Sequence, residues 1–139
     1  MTQHTREPMN EQTVNDLAAI RQAALDYMQG WYESDAERMR RSLHTELAKR
    51  AILRDAQTGA SRFHHLNQQQ MVVKTEQGGG SDDVPANKRY YKVSVLDIYE
   101  DIACARAESY EYVEYLHLAR EEGQWVIVNV LWASNSTKR

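Results

Sequence analysis

Cysteine is all but missing. Cys104 is the only one, which excludes an intrachain disulfide and any multi-cysteine zinc site. Proline occurs twice, at Pro8 and Pro85, and the six glycines are too few for a low-complexity chain. No apolar run approaches the ~20 residues needed to span a bilayer. No basic start leads into an apolar stretch, so there is no pattern of a secretory leader, and a reducing cytoplasm is the expected location. An excess of positive charge is also missing. Lys and Arg number 17 against 20 Asp and Glu, for a formal net charge of −3, and the sequence has no basic footprint for nucleic acid. No H-E-x-x-H or other metal spacing occurs, no G-x-S-x-G supports a serine nucleophile, and the three glycines at 78–80 lack the lysine of a phosphate loop. The sequence asks for no metal and no cofactor.

The clearest feature present is YVEYLHLAREEGQWVIVNVLWA, residues 112–133. Two runs of β-formers flank Glu122-Gly123, where glycine accepts positive φ, and the stretch predicts a hairpin. A symmetric turn pairs His117 with Val128, Tyr115 with Val130 and Val113 with Trp132, and sets Leu118–Ile127 and Leu116–Asn129 on the other face. In that register His117 and Asn129 face opposite sides. A one-residue bulge swaps these assignments. Both faces are rich in apolar groups, so one is expected on a core and the other on helices or a second subunit.

With 139 residues, 42% of them hydrophobic, the chain suits one domain with a core. Residues 1–12 read as a loose tail, 13–133 as the domain and 134–139 as a polar tail. Thr13 with Asp16 resembles a capping box ahead of a helix over 14–32, whose Leu17, Ile20, Ala24, Tyr27, Met28 and Trp31 recur at helical spacing. Ser34 and Glu37 form a second box for AERMRRSL, which ends at His44-Thr45. Residues 48–55 and 60–65 read as strands around AQTG. Asn67, with Gln70 three residues on, starts the helix QQQMVVKTE, which Gly78 stops, and residues 78–87 read as a flexible loop. YYKVSVLDIY and IACARAE follow as strands. If Tyr99 pairs with Ile102, Asp97 lies opposite Cys104 and Val95 opposite Arg106. Helices grouped first and strands later indicate α+β: a cone-shaped, curved antiparallel sheet wrapped by three N-terminal helices.

DYMQGWYESDAERMRRSLH, VSVLDIYEDIACARAES and YEYVEYLHLAREEGQWVIVNVLW resemble the putative lumazine-binding family of the nuclear transport factor 2-like superfamily. The likeness runs from about Leu17 to Trp132 and extends to the polyketide cyclase and ketosteroid isomerase-like cones. It implies a curved sheet and helices around a pocket, often in a dimer formed through the open sheet face. The superfamily holds isomerases, cyclases, dehydratases and non-catalytic binding modules, so fold does not decide function. Lumazine or flavin binding is implied by the family's name alone.

Three residues are candidate acids or bases. Asp97, with Val93 and Val95 on its face, is a candidate carboxyl in an apolar pocket, or else it accepts hydrogen bonds near a strand end or from Arg106. His117, mid-strand, reads as a proton shuttle or as a core histidine. His44 reads as a pocket-rim residue or as a helix cap. Tyr27, Trp31, Tyr115, Asn129 and Trp132 are candidate ligand contacts, although the aromatic ones equally suit a core and the Asn129 amide equally suits a structural clamp. His64 and His65 point to opposite faces of their strand, and Cys104 reads as a small core residue. Three functions follow as alternatives. One is a homodimeric domain binding a small apolar or heteroaromatic molecule. The second is an acid–base isomerase, cyclase or dehydratase. The third is a dimerisation module.

Overall fold

The computed structural model describes residues 10–80 and 83–138. Helix α1 (Glu11–Glu33) is followed by α2 (Ala36–Ser42), β1 (Leu43–Arg54), β2 (Ser61–Leu66), α3 (Gln68–Glu76), and then four consecutive strands, β3 (Lys92–Tyr99), β4 (Ile102–Glu108), β5 (Tyr112–Glu121) and β6 (Gln124–Ser134). The six strands form one curved sheet in the order β2-β1-β6-β5-β4-β3. The architecture is α+β, as the sequence order implied. Neighbouring strands are antiparallel except at the second junction, where β1 lies parallel to β6. That junction joins the early hairpin to the late meander, and α3 with its following loop makes the crossover between them.

Helix α1 lies across the sheet because its stripe of Ile20, Ala24, Tyr27 and Met28 is buried against it. Each such aliphatic or aromatic side chain contributes about 1.5–3 kcal/mol on burial. Met39 of α2 and Met71 of α3 belong to the same core, with Leu116, Leu118 and Ile127 of the sheet.

The helix boundaries differ from expectation where polar side chains competed for the cap. Asn10, not Thr13, caps α1, accepting from the Thr13 amide at 2.8 Å, so Glu11 and Gln12 lie in the helix. Residues 1–9 of the expected tail lie outside the described residues. Asp35, not Ser34, caps α2. Ser34 instead ends α1 at φ 56°, so the two helices share one tight corner. The Asn67–Gln70 capping box of α3 forms as expected. Strand β1 begins at Leu43, directly after α2, so His44 and Thr45 open a strand rather than end a helix. The C-terminal segment is anchored: Asn135 is buried and donates to the Ser109 carbonyl at 2.8 Å.

Two bulges decide which side chains face the core. In the final hairpin the expected symmetric pairing holds from Glu121–Gln124 to Leu118–Ile127, and then shifts by one residue. Val128 is the extra residue, so His117 pairs with Asn129, Tyr115 with Leu131 and Glu114 with Trp132. The expected pairs His117–Val128, Tyr115–Val130, Val113–Trp132 and Leu116–Asn129 do not form. In the β3–β4 pair, Tyr99–Ile102 and Asp97–Cys104 match the sequence reading, but Leu96 is extra and Val95 meets Ala105 rather than Arg106. A bulge inserts one residue and so inverts the inside–outside alternation beyond it.

Candidate functional site

The concave face of the sheet and the helices enclose a cavity of about 250 Å³. Tyr27, Met28, Trp31 and Tyr32 come from one face of α1, at helical spacing. Lys49 and His64 come from β1 and β2, Met71 and Lys74 from α3, and Tyr112, Glu114 and Trp132 from β5 and β6. Three of the expected ligand contacts, Tyr27, Trp31 and Trp132, are thus brought together here.

A polar cluster sits inside this mostly aromatic lining. The Tyr27 hydroxyl donates to Glu114 Oε1 at 2.5 Å and accepts from Lys49 Nζ at 2.6 Å. Lys49 Nζ also stands 3.6 Å from Glu114 Oε1, and both side chains are nearly buried. Burial lowers the Lys49 pKa, and Glu114 partly opposes that by attracting the ammonium. Burial raises the Tyr27 phenol well above its ordinary range, and the charge and hydrogen bond of Glu114 push it the same way. Tyr27 is therefore a neutral donor at any physiological pH. The ammonium lies 5.0 Å from the Tyr27 ring centroid and 5.9 Å from those of Trp31 and Trp132, within the range of cation–π attraction.

Other polar groups in the lining stay open. The indole nitrogens of Trp31 and Trp132 and the Tyr32 hydroxyl are buried without a hydrogen-bond partner among the described residues. His64 stands edge-on to Trp132, with ring centroids 6.3 Å apart. Burial lowers its pKa, and the nearby charges of Arg62, Lys74 and Lys49 lower it further. The glycine segment expected to be loose packs in part against the lining of this site. Gly80 is buried and its amide donates to the Trp31 carbonyl at 3.0 Å. A Cβ there would fall 2.7 Å from Trp31 Nε1.

The remaining expected site residues lie elsewhere. Asp97, His117 and Asn129 sit with Cys104 in one row across β3, β4, β5 and β6, on the convex face. The bulge at Leu96 carries Asp97 out of the phase of buried Val93, so it is exposed on the convex face, in a depression shared with Ile102 and His117, and it accepts from the Ile98 amide rather than from Arg106. Arg106 pairs with Glu108 at 2.9 Å. His117 is exposed, not a core histidine, and its Nδ1 lies 3.2 Å from Asn129 Nδ2. The bulge at Val128 thus puts His117 and Asn129 on the same face, contrary to the symmetric register. Tyr115 is exposed beside Leu131 on that face. His44 is remote from the cavity. Its Nε2 contacts Glu121 at 3.1 Å and its Nδ1 accepts from the Glu46 amide. His64 and His65 do point to opposite faces: His64 pairs with buried Ala51 and lines the cavity, while His65 is exposed.

Lys49 and Glu114, the charged pair of the cavity, were not singled out from the sequence. The alternation carried a signal for both. Glu114 is in phase with Leu116 and Leu118, and Lys49 lies between Leu47 and Ala51, so each charge interrupts a buried run. No group of three or more His, Cys, Asp or Glu among the described residues is arranged to hold a metal ion.

A bent sheet closed by three helices over an aromatic cavity defines a nuclear transport factor 2-like fold. Solved structures of that class superpose on it. An NTF2-like protein of unknown function from Silicibacter pomeroyi DSS-3 has a TM-score of 0.69 at 16% identity, over 91% of this chain and 100% of its own. A second, from Shewanella baltica OS155, has a TM-score of 0.68 at 17% identity, over 91% and 98%. A ketosteroid isomerase-like protein from Erwinia carotovora atroseptica has a TM-score of 0.61 at 14% identity, over 92% and 99%. At these identities the likeness establishes the fold and not the activity. The chain belongs to the putative lumazine-binding family, whose model matches residues 15–133. Comparison with curated proteins returns no significant match. No helix among the described residues is long and apolar enough to cross a membrane.

Proposed function

We propose that this domain binds a small, flat, aromatic molecule in the cone cavity, and that it does so as a homodimer joined through the convex sheet face. The observation that carries the first part is the wall of aromatic rings around the cavity, in which Trp31 Nε1 and Trp132 Nε1 are buried without a hydrogen-bond partner among the described residues. Buried donors are normally paired, and leaving one unpaired costs about 1–3 kcal/mol. A ligand that turns either ring toward an acceptor of its own offsets that cost. At about 250 Å³ the cavity lies near the lower end of ligand sites, which favours a one- or two-ring molecule. The dimer rests on the convex face, where Leu96, Tyr99, Ile102, Tyr115 and Leu131 are all exposed together. Soluble monomers rarely leave so many large apolar groups on one surface.

Native mass spectrometry of the freshly purified protein tests this reading. The expected species is a dimer carrying extra small-molecule mass. A bare monomer, whose tryptophan fluorescence does not respond to a library of flat aromatics, would overturn it. Acid–base catalysis is a second reading, and the short Tyr27–Glu114 contact inside the cavity is what favours it. In that reading Glu114 and Tyr27 take the roles that the sequence assigned to Asp97, His117 and His44.

A further inference from the structure

We propose that the molecule held in the cone cavity is a planar aromatic acid, bound as its anion with the charged group directed at Lys74 and the two indole N–H donors. The proposal rests on the reading of the cavity as a ligand site and narrows the class of ligand.

Charge is the first observation. The lining carries two ammonium groups, Lys49 and Lys74, and one carboxylate, Glu114. Glu114 is committed within the protein: its Oε1 accepts from Tyr27 and faces Lys49. Lys74 forms no ion pair among the described residues, while Arg62 stands near enough to His64 to act on the same wall. The field at His64 reports the balance. Burial is the largest influence lowering its pKa, and the charges of Arg62, Lys74, Lys49 and His65 follow in the same direction. That wall of the cavity is electropositive, which disfavours a cationic ligand and attracts an anionic one.

Hydrogen-bond polarity is the second. Trp31 Nε1, Trp132 Nε1 and Lys74 are donors only, and the Tyr32 hydroxyl, the third buried polar atom of the lining without a partner among the described residues, can donate as well. A carboxylate supplies two oxygens and about four lone-pair sites, and bonds to it are charge-assisted. A neutral hydrocarbon would leave the indole nitrogens as they are. Shape is the third. Tyr112 and Trp132 meet edge to face with centroids 5.1 Å apart, and Tyr27 and Trp31 stand on the helix opposite, so flat rings line both sides.

The test compares matched pairs by tryptophan fluorescence and calorimetry: benzoate with benzamide, naphthoate with naphthamide, and indolecarboxylate with indolecarboxamide. The acid of at least one pair is expected to bind about tenfold or more tighter than its amide at neutral pH. Lys74 is exposed, so Lys74→Gln should fold normally. It should weaken that acid about three- to tenfold and leave the amide unchanged. Trp132→Phe, which keeps a ring and removes the donor, should also weaken the acid. An amide that binds as well as its acid, or an acid indifferent to Lys74→Gln, would overturn the proposal while the cavity remains a ligand site. If none of the six probes binds and the purified protein carries no extra mass, both this proposal and the reading beneath it fail.

Discussion

The Tyr27 hydroxyl and Glu114 Oε1 lie 2.5 Å apart, although 87 positions separate them in the chain. The bond ties the middle of α1 to β5 across the cavity, and Lys49 joins it from β1 at 2.6 Å from the same hydroxyl. Three elements that meet only in the folded state thus share one small polar cluster.

Tyr27→Phe removes the shared hydroxyl and keeps the ring. Glu114 then loses its closest donor and Lys49 its closest acceptor. The expected cost is about 1–3 kcal/mol, read from urea unfolding. Lys49→Met should cost more, about 3–5 kcal/mol, because it strands a buried carboxylate. Adding Glu114→Gln to Lys49→Met should recover part of that loss, and a double-mutant cycle on the three proteins measures the coupling. Simple additivity of the two single changes would show that the pair at 3.6 Å does not interact energetically.

Alkali should weaken the fold through its tyrosines. Burial raises Tyr112 to about 12, helped by the charges of Glu111 and Glu114. Burial also raises Tyr90 to about 12, helped by the hydrogen bond it donates to Glu108. Tyr27 is raised well above the ordinary value of 10.0. The unfolded chain loses these protons above about pH 10, whereas the folded chain keeps them. Stability is therefore full below about pH 10 and falls as pH rises from there toward the folded values. Lys49 acts oppositely. Its lowered pKa means that the unfolded chain holds the extra proton, so its contribution improves as pH rises toward 10.5 and is constant beyond. Above that point the tyrosines act alone. Unfolding midpoints measured from pH 9 to 12 should decline, with proton release on unfolding. A flat profile would mean that these phenols ionise in the fold as freely as in the unfolded chain.

Gly80→Ala tests the wall beside Trp31. The new methyl would fall 2.7 Å from Trp31 Cδ1 and Nε1 and 2.8 Å from Tyr32 Cδ1. Neither ring can yield without moving α1 or entering the cavity. The expected destabilisation is about 1–3 kcal/mol, as for other overpacked sites, with a changed tryptophan emission. Gly59→Ala is a useful control: its Cβ would meet no atom within 4 Å, although its φ of 74° carries a strain of its own.

How far the sequence could be read depended on the bulges. The order of elements, the final hairpin and the Asn67–Gln70 cap follow from local patterns, because turn residues and helical spacing act over a few positions. Which face each strand residue takes does not. Nothing in V-I-V-N-V marks Val128 as the extra residue, and nothing in V-S-V-L-D marks Leu96. The bulge at Leu96 takes Asp97 off the face of Val93, and the bulge at Val128 brings Asn129 to the face of His117, so all three lie in a depression of the convex face and not in the cone cavity. Tyr27, Trp31 and Trp132 were found because aromatic size marks them at any register. Lys49 and Glu114 were missed because a charged residue in a strand is read as solvated unless its neighbours at i±2 are weighed with it.

The convex face gives the last prediction. Tyr115 and Leu131 are register partners at its middle, 54% and 55% exposed. Arg50, His65 and Arg106 flank them in the same row of strand positions, with Asp97, His117 and Asn129 in the next. A stable dimer needs roughly 1,200–2,000 Å² of total buried surface, with apolar groups at its centre and polar ones at its rim. This face has that arrangement, and a two-fold axis through Tyr115 and Leu131 would bring the apolar centres of two copies together. Leu131→Glu places a charge there. At an exposed position the change should alter the stability of the isolated subunit by no more than about 0.5 kcal/mol. In a dimer it would bury two unpaired carboxylates close to each other, at a cost of several kcal/mol. Sedimentation should show the wild type at twice the subunit mass and Leu131→Glu at the subunit mass, with unfolding of the monomer unchanged in cooperativity. Ligand binding should survive the substitution, since the cavity opens on the opposite side of the sheet. A Leu131→Glu protein that remains dimeric would place the interface elsewhere, and a wild type that sediments as a monomer would leave this apolar face uncovered by a second copy.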